Sequence, residues 1–223
     1  MHRFKLLGVA LVAVGVAVAV TAAAAFATMA LPEYTVQTGW TGSSGAGKLS
    51  NTAAKSSISC TSGSNAGGAE ASKKLGTFAL EFKGCTAEAL GSKVKCNSEG
   101  DATEVILTVG TWHLVLQVSG TGSHETLVWF LVKPTTVKCT SLVTIEVQGN
   151  VLGKIEEESK TKAALQVNVN ASGGQQYTSF ENDNGESVGA SLVSNINKGS
   201  FSTATEESAN NHIVTAKETE IIN

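Results

Sequence analysis

The chain has 223 residues, of which 42% are hydrophobic, 5% aromatic and 16% charged, with 23 glycines and two prolines. That hydrophobic content is enough to bury a core and excludes disorder of the whole chain. The formal net charge is −3 and Arg3 is the sole arginine. A chain lacking the side chain best suited to bidentate phosphate contacts is not built to hold nucleic acid.

The N-terminus carries an export signal. His2, Arg3 and Lys5 precede an apolar run over residues 6–20, and small residues follow with an A-x-A site at Ala25-Phe26-Ala27. This pattern predicts a helical signal peptide over residues 1–27. The apolar run is also long enough to span a bilayer as an uncleaved anchor. Cleavage is the reading adopted, because small residues close the segment and no polybasic cluster follows it. The expected product is a bacterial secreted or cell-envelope protein with no membrane attachment after cleavage. Losing Arg3 and Lys5 leaves 14 lysines against 19 acidic residues, a net charge of −5.

Cys60, Cys85, Cys96 and Cys139 all lie in the exported part. An even count in an oxidising compartment predicts two disulfides, and four cysteines allow three connectivities that sequence does not choose among. The expected pairing is Cys85–Cys96, stapling a local loop, with Cys60–Cys139 closing a long one. There is no C-x-x-C pair and no histidine at ligand spacing, so no zinc or other metal site is assigned.

Residues 28–54 read as a Gly/Ser-rich N-terminal segment contributing one edge strand near residues 34–38. Within it Gly42-Ser43-Ser44-Gly45-Ala46-Gly47-Lys48 approaches a phosphate-cradling loop, but Leu49 stands where a magnesium-binding hydroxyl is needed. Residues 55–223 read as a single all-β domain. Strands are predicted near residues 56–61, 77–83, 93–97 and 104–109. The most strongly patterned stretch then forms a hairpin, residues 111–118 and 127–132 across a turn-rich 119–124. Trp112, Leu114, Leu116 and Val118 share one face of its first strand, and the second strand is apolar on both faces, as in a deeply buried strand. Further strands are expected at 136–139, 142–148, 151–155, 165–169, 175–181, 189–195, 201–205 and 212–220, with a solvated charged loop over 156–162. Short strands and no long helix after the signal segment indicate an antiparallel β-sandwich or barrel.

Catalytic chemistry finds little support. The exported part holds His113, His124 and His212, and no serine sits in a G-x-S-x-G elbow. In Ser123-His124-Glu125, neighbours on a strand point to opposite faces and do not line up as a relay. Glu81, Glu88, Glu104, Glu125, Glu146 and Glu181 are candidates for a carboxylate pair, but their spacing selects none. Asp183-Asn184-Gly185-Glu186 reads as a turn. Trp112 and Trp129 read as core, and Trp40 as an exposed aromatic. No catalytic, cofactor-binding or metal-binding residue is assigned, and no cofactor is expected.

Ser59-Cys60-Thr61-Ser62, Gly84-Cys85-Thr86, Lys95-Cys96-Asn97-Ser98-Glu99-Gly100 and Cys139, followed by Val147-Gln148-Gly149-Asn150-Val151-Leu152-Gly153, resemble the pattern of a set of secreted actinobacterial-type β-rich proteins with no assigned activity. The similarity runs from about Gly39 to Glu181. It implies two disulfides and a β-rich exported domain, and supplies no catalytic residues. The leading expectation is a non-enzymatic secreted or cell-envelope β-domain with a binding or surface-structural role, its partner a cell-surface glycan or protein. Two alternatives are an extracellular glycan-active hydrolase using paired carboxylates, and a carrier of an apolar ligand inside a barrel, with a cavity lined by the Trp112 face.

Overall fold

Period-2 alternation of apolar and polar residues runs through most of the chain, and each alternating run becomes a strand whose apolar face turns inward. In the computed structural model residues 30–89, 92–118, 125–139, 141, 143–156, 162–171 and 174–222 are described. The expected signal peptide, His124 and residues 157–161 of the charged loop fall outside them. The described residues form strands and no helix.

The wall of the molecule is a closed antiparallel barrel. Its strands are β2 (Gly39–Ser44), β3 (Gly47–Asn51), β5 (Ser62–Ala69), β6 (Leu75–Lys83), β10 (Val105–Gln117), β11 (Thr126–Lys138), β12 (Thr144–Glu156), β13 (Lys162–Val169), β16 (Leu192–Ile196) and β17 (Ser202–Thr219). Neighbours pair in the order β13-β12-β11-β10-β6-β5-β2-β17, and β13 pairs with β17 to close the ring. The other two wall strands flank the first part of β17: β3 pairs along residues 204–208 and β16 along 202–204. An all-β antiparallel fold was expected, and of the two architectures left open it is the barrel that forms.

Shorter strands surround this wall. Strand β1 (Glu33–Tyr34) pairs with β18 (Ile221–Ile222), joining the two ends of the described chain. Strands β4 (Ser56–Cys60), β7 (Thr86–Ala89) and β8 (Ser92–Lys95) extend the sheet beyond β3, while β9 (Asn97–Ser98) lies on β11. The hairpin of β14 (Ser179–Glu181) and β15 (Ser187–Gly189) docks on β10. Its turn is tied by Asn182 Oδ1, which accepts from the backbone N–H groups of Asn184 at 3.0 Å and Glu186 at 2.9 Å. The turn reading of Asp183–Glu186 therefore describes the loop observed.

The patterned hairpin became β10 and β11, and its faces explain its composition. Trp112, Leu114 and Leu116 are buried toward the barrel interior, whereas Val118 lies past the end of β10 and is exposed. Strand β11 is apolar on both faces because Val128 and Phe130 join the main core while Leu127 and Trp129 lie under the excursion between β13 and β16. There the Trp129 ring stacks on Phe180 at 4.9 Å and on His113 at 5.2 Å. Trp129 is thus half-buried in an outer satellite cluster and not in the barrel core. Burial lowers the pKa of His113, opposed by the charge of Glu70.

Two expectations about the N-terminal segment are corrected. Residues 39–51 do not stand outside the β-domain, since β2 and β3 belong to the wall, and Trp40 is 8% exposed, not a surface aromatic. Strand β5, Ser-Gly-Ser-Asn-Ala-Gly-Gly-Ala, was not anticipated because it lacks apolar alternation. Its small residues are what Trp40 requires: a Cβ at Gly67 would run into the Trp40 ring. Large and small residues on facing strands interlock, so a strand with almost no hydrophobic signal of its own is fixed by its neighbour.

The disulfide pairing is also corrected. The bonds are Cys60–Cys85 and Cys96–Cys139, each with Cα atoms 4.0 Å apart. Register is the reason. Ser59 lies opposite Thr86, which brings Cys60 beside Cys85, and Lys138 lies opposite Asn97, which brings Cys139 beside Cys96. The expected local partners do neighbour each other, with Cys96 N–H donating to the Cys85 carbonyl at 2.9 Å, but each sulfur turns to a partner more distant in sequence. All four sit in one core cluster with Ile58, Ile106 and Val137.

Candidate functional site

Alternation sends every second side chain of the wall inward, and the inward set does not fill the barrel. A cavity of about 130 Å³ remains inside the ring. Its walls are Phe78, Leu80 and Phe82 from β6, Ile106 from β10, Phe130 and Val132 from β11, Val147 and Val151 from β12, and Val167 and Val169 from β13. Trp40 bounds it as well. Eight of the ten wall strands form the hydrogen-bonded circuit, with β3 and β16 completing the wall beside β17, and a circuit of eight is the size at which a barrel either fills with side chains or holds one small ligand. Here space is left.

One end is closed by stacked aromatics. Trp40 packs on Trp112 with ring centroids 5.1 Å apart, and Tyr34 meets Trp112 edge-on at 5.6 Å. The Trp112 indole N–H donates to the Gly68 carbonyl at 3.3 Å. Trp112 therefore backs Trp40, and the cavity is lined by Trp40 and three phenylalanines, not by the Trp112 face that the carrier alternative named. Gly110 on β10 leaves room for this arrangement, since a Cβ there would come within 2.8 Å of the Phe78 ring.

Polar groups on this surface are few. Among the described residues the only acid lining it is Glu206. On β17 the inward positions are Ala204, Glu206 and Ser208, with Glu207 outward, and Leu49 of β3 lies across from Glu206. On the other side of β17 the wall is interrupted between the end of β13 and the start of β16. The Glu206 backbone N–H there donates to the side-chain oxygen of Gln175 at 3.2 Å, in place of a strand partner. Glu206 retains some accessible area, but it lines the cavity and is enclosed by protein. Burial pushes its carboxyl up to about 8, with Glu207 adding in the same direction and a hydrogen bond with Ser208 opposing. A carboxyl so placed is neutral over much of the physiological range.

Asn65 is the second polar feature. It is 8% exposed, lines the cavity, and its Oδ1 has no hydrogen-bond partner. Three other buried polar atoms without a partner among the described residues, Trp129 Nε1, Asn195 Oδ1 and Thr215 Oγ1, belong to side chains that do not line it. A buried acceptor left unmade costs about 1–3 kcal/mol unless water or a ligand satisfies it. By contrast, the buried amide of Asn51 is fully engaged: its Nδ2 donates to Ser194 Oγ at 2.8 Å and Ser202 Oγ at 2.9 Å. That cluster is structural.

No family model, curated protein or solved structure matches the chain. The resemblance to secreted β-rich proteins thus rests only on the short cysteine motifs and the stretch Val147–Gly153, and the cavity must be read from its own chemistry.

The acids singled out from sequence lie elsewhere. Glu81 is paired with Lys83 at 2.8 Å and Glu104 with Lys95 at 2.9 Å. Glu125 accepts from Lys154 at 2.9 Å and from the Tyr177 hydroxyl at 3.2 Å, and the Lys154 bond holds its carboxyl below the usual range. Glu146 accepts from Asn195 at 2.7 Å, Glu88 is exposed, and Glu181 sits in the β14–β15 hairpin. Each is held by a separate part of the outer structure. Among the described residues no three His, Cys, Asp or Glu side chains gather in a way that would hold a metal ion. Glu206, the acid that does face the interior, carried no sequence signal beyond its parity with Ala204 and Ser208.

Proposed function

We propose that this protein is an exported, non-enzymatic binding protein that carries a small apolar ligand inside its barrel. The observation that carries the reading is the interior cavity, whose lining is almost wholly aliphatic and aromatic while a single carboxyl faces into it. An apolar space of this kind, with one or two placed polar groups, is the usual form of a small-ligand site. An engineered cavity of about 150 Å³ stays dry and takes up benzene, so this volume suits a ligand of roughly one ring. Two disulfides are compatible with an oxidising, extracellular setting, as export by the N-terminal segment requires.

Toluene is the simplest probe. Calorimetric titration should give a saturable site with one molecule per chain, and the melting temperature should rise with toluene concentration, because a ligand bound only to the folded state stabilises it. Val151→Phe places a ring in the cavity and is expected to abolish both effects while leaving the fold intact. Absence of toluene binding to the wild-type chain would overturn the reading.

A further inference from the structure

The polar groups of the cavity are unequally supplied. Two of its polar side chains have hydrogen-bonding capacity to spare: the Glu206 carboxyl, whose side-chain hydrogen bond is with Ser208, and Asn65, whose Oδ1 has no partner. Two of its donors are committed to the wall. Both Asn211 Nδ2 hydrogens are used within β17, on the Ser208 carbonyl and on Ser208 Oγ, each at 3.1 Å. The Thr135 hydroxyl donates to the Lys133 carbonyl at 3.1 Å. Lys48, the one cation among the described lining residues, is an exposed residue on β3 opposite Glu207, placed toward solvent. A ligand that completes such a lining brings N–H groups with it.

The aromatic lining points the same way. Trp40, Phe78, Phe82 and Phe130 all border the cavity. Aromatic faces attract a cation most strongly where water is excluded. A buried carboxyl and aromatic rings in one apolar enclosure are the ingredients of an ammonium site, whereas a carboxylate ligand would meet the carboxyl of Glu206 with no inward-facing cation among the described residues to balance it. Resting on the reading of the barrel as a carrier, we infer that its ligand is a small apolar amine of about one ring, whose protonated nitrogen pairs with Glu206 while its hydrocarbon body fills the space between β6, β11 and β12.

Proton linkage gives this inference a signature. Glu206 holds a proton in the empty cavity, and pairing with an ammonium requires the carboxylate, so binding releases that proton. The charged groups beside Glu206 are its neighbour Glu207 on β17 and Lys48 on β3, both on the outward side, with His212, Lys217 and Glu218 further along β17, while Gln175, from the segment after β13, is uncharged. Affinity for an amine should therefore rise as pH increases from 6 to 8, by up to about tenfold per pH unit while Glu206 remains mostly protonated.

The test compares ligands of one shape: toluene, benzyl alcohol, benzylamine and benzoate, titrated calorimetrically into the exported chain at pH 6, 7 and 8. Benzylamine is expected to bind at least tenfold tighter than toluene at pH 8, with a heat that changes with the ionisation enthalpy of the buffer. Benzoate is expected to be the weakest. In Glu206→Gln, which keeps the side-chain shape, the ratio of benzylamine to toluene affinity should fall to about one. Toluene binding without any preference for benzylamine would overturn the amine assignment and leave the carrier reading standing. Benzyl alcohol binding as tightly as benzylamine would overturn it too, since Glu206 would then act as a neutral donor. Failure of toluene to bind would overturn the carrier reading, and the amine assignment that rests on it, whatever the other three probes do.

Discussion

Trp112→Ala is expected to destabilise the barrel by about 3–5 kcal/mol, the range for removing a large aromatic side chain from a core. Trp112 is 1% exposed and joins three things at once: the ring of Trp40, the ring of Tyr34, and the Gly68 carbonyl that accepts its indole N–H. Alanine removes the packing and leaves that carbonyl without its side-chain donor. The loss should also reach the ends of the chain, because Tyr34 belongs to the strand that pairs with β18. Urea unfolding followed by circular dichroism measures the change in midpoint. Trp112→Phe, which retains most of the contact area, should recover more than half of the loss. Equal loss in both variants would mean that the indole hydrogen bond, rather than the stacking, holds this end together.

Glu206→Gln should have the opposite effect, and it should depend on pH. The folded-state pKa of Glu206, about 8, lies above the ordinary value of 4.5. The native state therefore holds a proton that the unfolded chain has released. The stability tied to that proton is fully present below pH 4.5 and is lost progressively as pH rises to 8. Over this interval the wild-type chain should lose roughly 3–5 kcal/mol that the glutamine variant keeps, because each tenfold difference in proton affinity between the folded and unfolded chain is worth at most about 1.36 kcal/mol. At pH 5 the two proteins should unfold at nearly the same urea concentration, and at pH 8 the variant should be clearly the more stable. A difference that does not change with pH would show that Glu206 is solvated in the native state. A residue that costs this much when ionised has the character of a functional group, since perturbed carboxyls concentrate at binding and catalytic sites.

These two residues also mark what could be read in the chain before its fold was known. Trp112, Leu114 and Leu116 were legible as a buried face because alternation on a strand is a local property. The same holds for Ile145 and Val147 in β12 and for Leu165, Val167 and Val169 in β13, which lie in the core as the alternation requires. Strand β5 was not legible, because its reason for existing is the Trp40 ring laid over Gly67 from another strand. The cysteine count predicted two disulfides, but their pairing depends on which strands lie side by side, and that is settled by long-range register. Glu206 was hidden for a related reason. Residues 201–205 were expected to form one strand and residues 212–220 another, whereas a single strand, β17, runs from Ser202 to Thr219 with shifts of register against β13. The strand continues past Thr205 to pair with β3 as far as Ser208, and that pairing sets Glu206 on the inward face with Ala204 and Ser208 and its neighbour Glu207 on the outward one.

The central claim is that the barrel holds an empty apolar space large enough for a ligand, and crystals of the exported chain equilibrated under xenon pressure test it most directly. Xenon enters dry apolar cavities and is visible by its anomalous scattering. The expected result is a single strong site within contact distance of Leu80, Phe130, Val151 and Val167, the residues that wall the cavity. A barrel interior without xenon, filled instead by repacked side chains or by a chain of ordered waters reaching from Glu206 to bulk solvent, would contradict it.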